Sequence, residues 1–535
     1  MKEAILEENH PSIAISLRNQ AELYRIQGNY VQAEANYRRA LNIVEITLGK
    51  SHPENAEILS NLGALYHGQA KYAEAQANYE RALQIHEDAL GTNHPSVAYP
   101  LNNLAELHQE IGNYSEAEIL QKRALQIRED ILGVNHPLVA SSLKNLATTY
   151  TSQGNYAEAL VGYQRALKIQ ETVLKTNHPN IAITLSALAR LHRLQGNYTE
   201  ALDYYEKALE IQKKSLGDDY SDIAKTINGL GLLYKAQGNY PQAMIQFEQA
   251  LSIYTNRLGT VHPYTATVLT NLGELNQVQG DYDDAQVKYQ KALNIREEIF
   301  GSNHPAVATS LNNLGALHQA IGDFNQSIAY HQKALDIRKN ILEPNHLDIA
   351  QSLNNLAVLY QTQVKYNQSQ SLLEDALEIR EEKLGETHPL IAVTLSSLAT
   401  LYQQQGQYIK AKNNFERAIS IQEIELGIDH PDVATSQNSL AILYQELGNY
   451  SEAVNLLKQA LEIRGKSLNA NHPDIAIVIN NLAFLYQSYG YYPEALAGYK
   501  RALEIRQASL NPNHPDIALS LMGIAAIHHS QDQYS

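Results

Sequence analysis

The sequence predicts an all-α solenoid, a stack of antiparallel helix hairpins, on three observations. A His-Pro dipeptide recurs every 42 residues, the apolar residues inside each interval fall at helical spacing, and helix breakers come twice per interval. His10, His52, His94, His136 and His178 set the beat, which returns at His262, His304, His346, His388, His430, His472 and His514. Position 220 carries Tyr220 instead, and Leu347 replaces the Pro after His346; both departures are expected to mark places where the stack alters its pitch. The beats define twelve complete repeats over residues 10–513. Residues 1–9 read as the end of an earlier second helix, with Leu6 in the place of Leu48. Residues 514–535 read as the first helix of an incomplete thirteenth repeat. A strict period between about 20 and 50 residues means a stacked array in which each unit contacts its neighbours.

Residues 52–93 show how one repeat is built. Pro53 after His52 suits the first turn of a helix, where a missing N–H costs nothing. An acidic or small polar residue follows in many copies (Glu54, Ser96, Asp432, Asp474, Asp516), which suits the positive end of the helix dipole. Ala56, Leu59, Leu62, Gly63 and Tyr66 then form a one-sided stripe. Most repeats continue with Gln-Gly-Asn-Tyr or a near copy, as at Gln153–Tyr156, where the Gly supplies a left-handed turn position. The second helix carries Ala75, Tyr79, Ala82, Leu83, Ile85 and Leu90 on its buried side, and Gly91 ends it. Each helix is expected to run roughly 16 residues, near 24 Å. The Ala14 position is Ala in all thirteen copies, and the Ala40 and Ile43 positions do not vary over twelve. Small residues at fixed points among Leu, Ile and Tyr allow close helix approach.

A propeller blade of similar length would need four short strands with β-branched alternation, which is absent. Asn-Leu-Gly/Ala-x-Leu-Tyr, followed by Gly-x-Tyr, Glu-Ala, Tyr and Ala-Leu, resembles the tetratricopeptide repeat rather than a HEAT or armadillo unit. The 42-residue length with Leu-Gly-x-x-His-Pro junctions is similar to the kinesin light chain-type repeat, a form that bacteria also carry in long arrays. The resemblance covers essentially the whole chain and implies a right-handed superhelical α-solenoid. It also implies a non-enzymatic scaffold that binds peptide or protein partners in a concave groove. Bacterial arrays that resemble this one are often fused to a caspase-like CHAT protease or an NTPase module. A sensing segment of a larger signalling enzyme is therefore the alternative expectation. A motor-adaptor role is not implied, because the chain opens inside a repeat rather than in a heptad coiled coil.

Composition narrows the classes further. A formal charge of −16 argues against general affinity for nucleic acid or anionic membranes. No apolar run is long enough to span a bilayer, and Met1–Glu8 carries no signal-peptide core. The absence of Cys removes disulfides, thiol catalysis and thiolate metal sites, and fits a reducing cytoplasm. Neither terminal repeat has a polar capping face, so the chain is expected to be a segment of a longer protein or to stack end to end with copies of itself.

No cofactor or metal is expected. The His ladder cannot share an ion, because its members sit one repeat apart at roughly 8–10 Å while metal–nitrogen bonds are about 2 Å. His108, His192 and His318 stand where other repeats place Tyr. Walker, GxGxxG, GxSxG and HExxH patterns are missing, and the carboxylates read as solvated helix faces, so no catalytic residue is assigned.

In tetratricopeptide arrays the first helices line the concave surface. The matching positions here begin with Asn61, Asn103, Asn145, Asn271, Asn313, Asn355 and Asn481, together with Asn19. An Asn amide can pair with any peptide backbone, or it can bond within the array. One turn onward stand Gln319 and Gln361, with Gln277, Gln403, Gln445 and Gln487. Lys144, Arg190, Arg193, Lys225 and Lys235 bring positive charge to three successive repeats of an acidic chain, a pattern suited to an acidic peptide. The alternative for these five is neutralisation by neighbouring Glu.

Overall fold

The computed structural model describes residues 10–216 and 221–532. Within them the chain forms 25 α-helices and no strand, from α1 (Pro11–Ile26) and α2 (Tyr30–Leu48) to α25 (Pro515–Asp532). Successive helices pair as hairpins and each hairpin packs on the next. First helices are mostly 16 residues long, as expected, whereas second helices reach 18 or 19, as in Tyr72–Leu90 and Tyr156–Val173. Ala14, Ala56, Ala98, Ala140 and the equivalent residues as far as Ala476 have no exposed surface, nor do Ala40, Ala82 and Ala124. Tyr37, Tyr79 and Tyr289 fill the space that these alanines leave. No helix among the described residues is long and apolar enough to cross a membrane.

The His ladder is a ladder of helix caps. In every described copy the backbone N–H two residues later donates to the His Nδ1, at 3.0–3.2 Å. The bond satisfies one of the orphan donors of the first turn, the part that Ser or Asp plays in other helices. It also fixes the tautomer: with Nδ1 accepting, the proton resides on Nε2.

Two glycine positions differ in what they require. In the Gln-Gly-Asn-Tyr turn, Gly154 has φ +79, and where the Gly is missing Ala70 and Val364 are forced to φ +55 and +60. At the junction Gly91 adopts φ 88 and ψ 151, a region open essentially to Gly alone.

The joint at His346–Leu347 keeps its form, because His346 still accepts from the Asp348 N–H and the helix starts at Leu347. Tyr220 lies outside the described residues. The irregular joint is elsewhere, at Pro95–Val97, a turn of 3-10 helix. Pro100 has no N–H to offer the Ser96 carbonyl, and His86 Nδ1 supplies the missing donor at 3.0 Å.

A column of buried polar side chains spans the junctions. Arg338 donates to the Asp348 carbonyl at 2.8 Å and to Ser352 Oγ at 2.7 Å. Arg506 repeats the pattern on Asp516 and Ser520, and Arg380 on Leu390 and Thr394. Each guanidinium ties the end of a second helix to the start of the next first helix.

The stack coils tightly enough to meet itself. His346 Nε2 donates to the Glu110 carbonyl at 3.0 Å, and His430 Nε2 to the Leu194 carbonyl at 3.2 Å, both across 236 residues. Asn469 N–H reaches the Gln237 carbonyl at 3.1 Å and Asn511 N–H the Gln279 carbonyl at 2.8 Å. The Tyr30 ring stacks on Phe300 with centroids 6.2 Å apart. One superhelical turn therefore takes roughly five and a half repeats, and the second turn rests on the first. The concave face becomes the wall of a channel.

Candidate functional site

Along the first helices, neighbouring repeats touch through the side chains that line this channel. Two of the seven amides singled out from the sequence turn inward to the array: Asn271 donates to Asn228 Oδ1, and Asn481 to Asn438 Oδ1, both at 2.8 Å. Asn61, Asn103, Asn145, Asn313 and Asn355 are half-buried and make no side-chain hydrogen bond among the described residues. Of the glutamines, Gln361 is buried and donates to the Ser397 carbonyl at 3.2 Å. Gln319 is half-buried and makes no side-chain hydrogen bond among the described residues. Gln277 and Gln487 accept from the Tyr289 and Tyr499 hydroxyls.

The five cations also divide. Lys235 is paired with Glu274 at 2.6 Å. Arg193 lies beside the buried Tyr205 hydroxyl. Lys144, Arg190 and Lys225 form no ion pair among the described residues. Burial holds the Lys144 ammonium below the usual lysine range, and the Lys225 charge pushes it further the same way, against the pull of Glu106. Lys144 and Lys225 stand two repeats apart along the chain, yet the Lys225 charge reaches Lys144, because the tight coil turns their first helices toward a common axis.

The sequence did not single out the acidic counterpart of this cluster. Glu106 is reached by water but walled in by protein, and burial pushes its carboxyl up against the pull of Lys144. Glu110 is pushed up by burial and by Asp348, which belongs to the second superhelical turn. A cavity of about 590 Å³ opens here, lined by Tyr72, Tyr79, Asn103, Glu106, Glu110 and Asp348. Glu106 stands where other repeats carry Ala64 or Thr148 but also Glu22 and Glu274, and Glu110 where they carry Gly68 or Ser152 but also Glu446, so position alone gave little signal. Among the described residues no group of three or more His, Asp or Glu side chains is arranged to hold a metal ion.

The sequence model described as "Tetratricopeptide repeat" matches ten times, in overlapping windows from 12–88 to 180–256, from 264–340 to 390–466, and over 474–535. No protein of curated function matches the chain. Among solved structures, the chain is similar to the crystal structure of BtubC (BKLC) from P. vanneervenii, at 22% identity. That match covers 45% of this chain and 92% of the other, with a TM-score of 0.34. It is also similar to the nearly identical TPR-like repeats of a putative kinesin light chain from Podosopora anserina, at 30% identity over 38% and 96% of the two chains, TM-score 0.32. A variant form of that protein gives 26% identity over 38% and 97%, TM-score 0.33.

Proposed function

The chain belongs to the tetratricopeptide repeat family, and from that premise we propose that it is a scaffold holding an extended acidic peptide segment in its channel. The observation that carries this reading is the set Lys144, Arg190 and Lys225. Three cations that form no ion pair among the described residues face one channel in a protein of net charge −16. Like charges held together in a confined space cost free energy, which an anionic partner would relieve. The free amides of Asn61, Asn103, Asn145, Asn313 and Asn355 supply donors and acceptors for a peptide backbone of any sequence. Charge carries the specificity, and the amides hold the chain extended.

The test is charge reversal at the channel wall. Arg190→Glu with Lys225→Glu should weaken a dye-labelled poly-glutamate peptide by more than about tenfold, since each charge-assisted hydrogen bond contributes about 1.5–3 kcal/mol. The measurement is fluorescence anisotropy at low salt, with far-UV circular dichroism to confirm intact helices. Unchanged affinity would dispose of the basic cluster as the site.

A further inference from the structure

We propose that the seam between the two superhelical turns is a reversible latch, and that a partner enters the channel sideways through it rather than by threading from an end. The inference rests on the channel being the binding site and concerns how that site is reached. With the second turn seated on the first, the channel is walled on all sides, and a segment within a folded partner has no free end to thread.

The seam is built unlike the contacts within a turn. Neighbouring repeats are joined by interlocking Leu, Ala and Tyr, with residues such as Leu65, Leu107 and Leu188 fully buried. The seam is thinner: Tyr rings of the first turn pack singly on it, Tyr30 on Phe300, Tyr72 beside Leu342, Tyr198 beside Leu468 and Tyr240 beside Leu510, and next to them runs a row of polar contacts. Each links a joint of the second turn to the end of a first helix in the first turn: His346 to Glu110, His430 to Leu194, Asn469 to Gln237, Asn511 to Gln279. A cavity of about 690 Å³ lies along it, lined by residues that include Gly196, Tyr198, Asp429, His430 and Asn469. A second of about 250 Å³ lies between Tyr114 and Leu347. One ring and one hydrogen bond per repeat bury far less than the interlocked helices within a turn, so the seam opens at a fraction of the cost of the packed core. Opening it breaks no hairpin, since a small rotation at each repeat suffices to lift one turn from the other. Closure is favoured by the end-to-end alignment of helices across the seam, where carbonyls at one C-terminus meet a capped N-terminus.

The turn glycines give a matched pair of perturbations. Gly238 and Gly448 occupy the same turn of two repeats with φ +77 and +73. A Cβ on Gly238 would meet His472 Cδ2 across the seam at 2.5 Å, whereas at Gly448 it would meet nothing within 4 Å. Asn tolerates this φ, so Gly238→Asn wedges the seam while Gly448→Asn controls for the turn itself. His430→Asn is a second wedge-free variant, since it keeps an acceptor for the Asp432 N–H and cannot reach the Leu194 carbonyl.

In the full-length chain, Gly238→Asn should enlarge the radius of gyration by small-angle X-ray scattering, with helix content unchanged by circular dichroism. Gly238→Asn and His430→Asn should also raise the association rate of a dye-labelled poly-glutamate peptide by roughly fivefold, the increase in open population from losing one hydrogen bond. Gly448→Asn should match the wild type in both. A Gly238→Asn chain of unchanged size would overturn the latch, and an expanded chain with an unchanged association rate would overturn sideways entry. A wild type that binds no poly-glutamate would sink the binding-site reading and sideways entry together, while the scattering comparison would still decide whether the seam opens.

Discussion

Lowering the pH from 7 to 5 should loosen the second superhelical turn through His304 and His388. Burial holds both imidazoles down to about 4, aided by Arg296 beside His304 and Arg380 beside His388 and opposed by the carbonyls of Gly68 and Ser152. The Phe300 ring stacks on His304 at 4.3 Å. Protonation would also place a hydrogen on Nδ1, which already faces the N–H that it caps. The folded pKa lies below the value of about 6.5 in the unfolded chain, so the unfolded state takes up protons first as pH falls. The full stability is present above pH ~6.5 and is lost progressively down to pH ~4. At pH 5 this linkage costs about 2 kcal/mol for the buried His388 and about 1–2 kcal/mol for His304, whose edge meets solvent. Glu106 and Glu110, pushed up by burial, act in the opposite sense and gain as pH falls, which partly offsets the loss. His388→Asn separates the two effects, because Asn caps the helix equally well and does not titrate. Urea unfolding followed by circular dichroism at pH 7 and pH 5 should show the His388→Asn variant losing about 1–2 kcal/mol less than the wild type between the two. Equal losses in the two chains would refute the assignment of the acid sensitivity to this ring.

Two further substitutions probe the joints. Arg380 is buried at 4% exposure and held down to about 10 by burial, so its charge costs about 3 kcal/mol, which its bonds to the Leu390 carbonyl and Thr394 hydroxyl roughly return. Arg380→Met should therefore stay within about 1 kcal/mol of wild type by urea midpoint, while Arg380→Ala, which leaves a cavity, should lose about 2–4 kcal/mol. Val364 sits at φ +60, a conformation costly for a β-branched residue, with its side chain 67% exposed. Val364→Gly should raise stability by about 1 kcal/mol in thermal unfolding, and a loss would show that no strain resides there.

The hairpins were legible because each repeat states its own pattern: Pro after a cap, a 3.6-residue stripe, a Gly at each reversal. Ala56 and Leu59 could be placed in the core from spacing alone. The junction arginines could not, because an Arg on a helix normally carries its charge to water, and only the structure shows Arg338 and Arg506 bending back onto the next helix. They follow the unvarying Ile of each second helix directly, and that was the signal to read. The channel was half legible. The column beginning at Asn61 lines the first helices, but Asn271 and Asn481 are committed to Asn228 and Asn438, since an amide next to another amide bonds there before it bonds a ligand. Charge pairing likewise depended on residues 39 positions away, as with Lys235 and Glu274. The seam was not legible at all, because it depends on a small rotation per repeat summed over more than five repeats.

That sum is what separates copies of the same residue. His178 and His430 have one sequence context and one cap, with the N–H two residues on held by Nδ1 in each. Ser, Asp or Asn at that position would cap as well. Only an imidazole carries an acceptor on one side of the ring and, by the tautomer which that acceptor imposes, a donor pointing away on the other. In the first turn the donor of a residue such as His52 faces outward, and His52 is exposed. In the second turn the same donor of His346 and His430 finds a helix-end carbonyl, and His346, His388, His430 and His472 are buried. The residue that makes the hairpins regular is thus also the one able to dock one turn on the other, and its single proton decides both. A cap of any other chemistry at His346 or His430 would leave the hairpins standing and remove that joint's hydrogen bond across the seam.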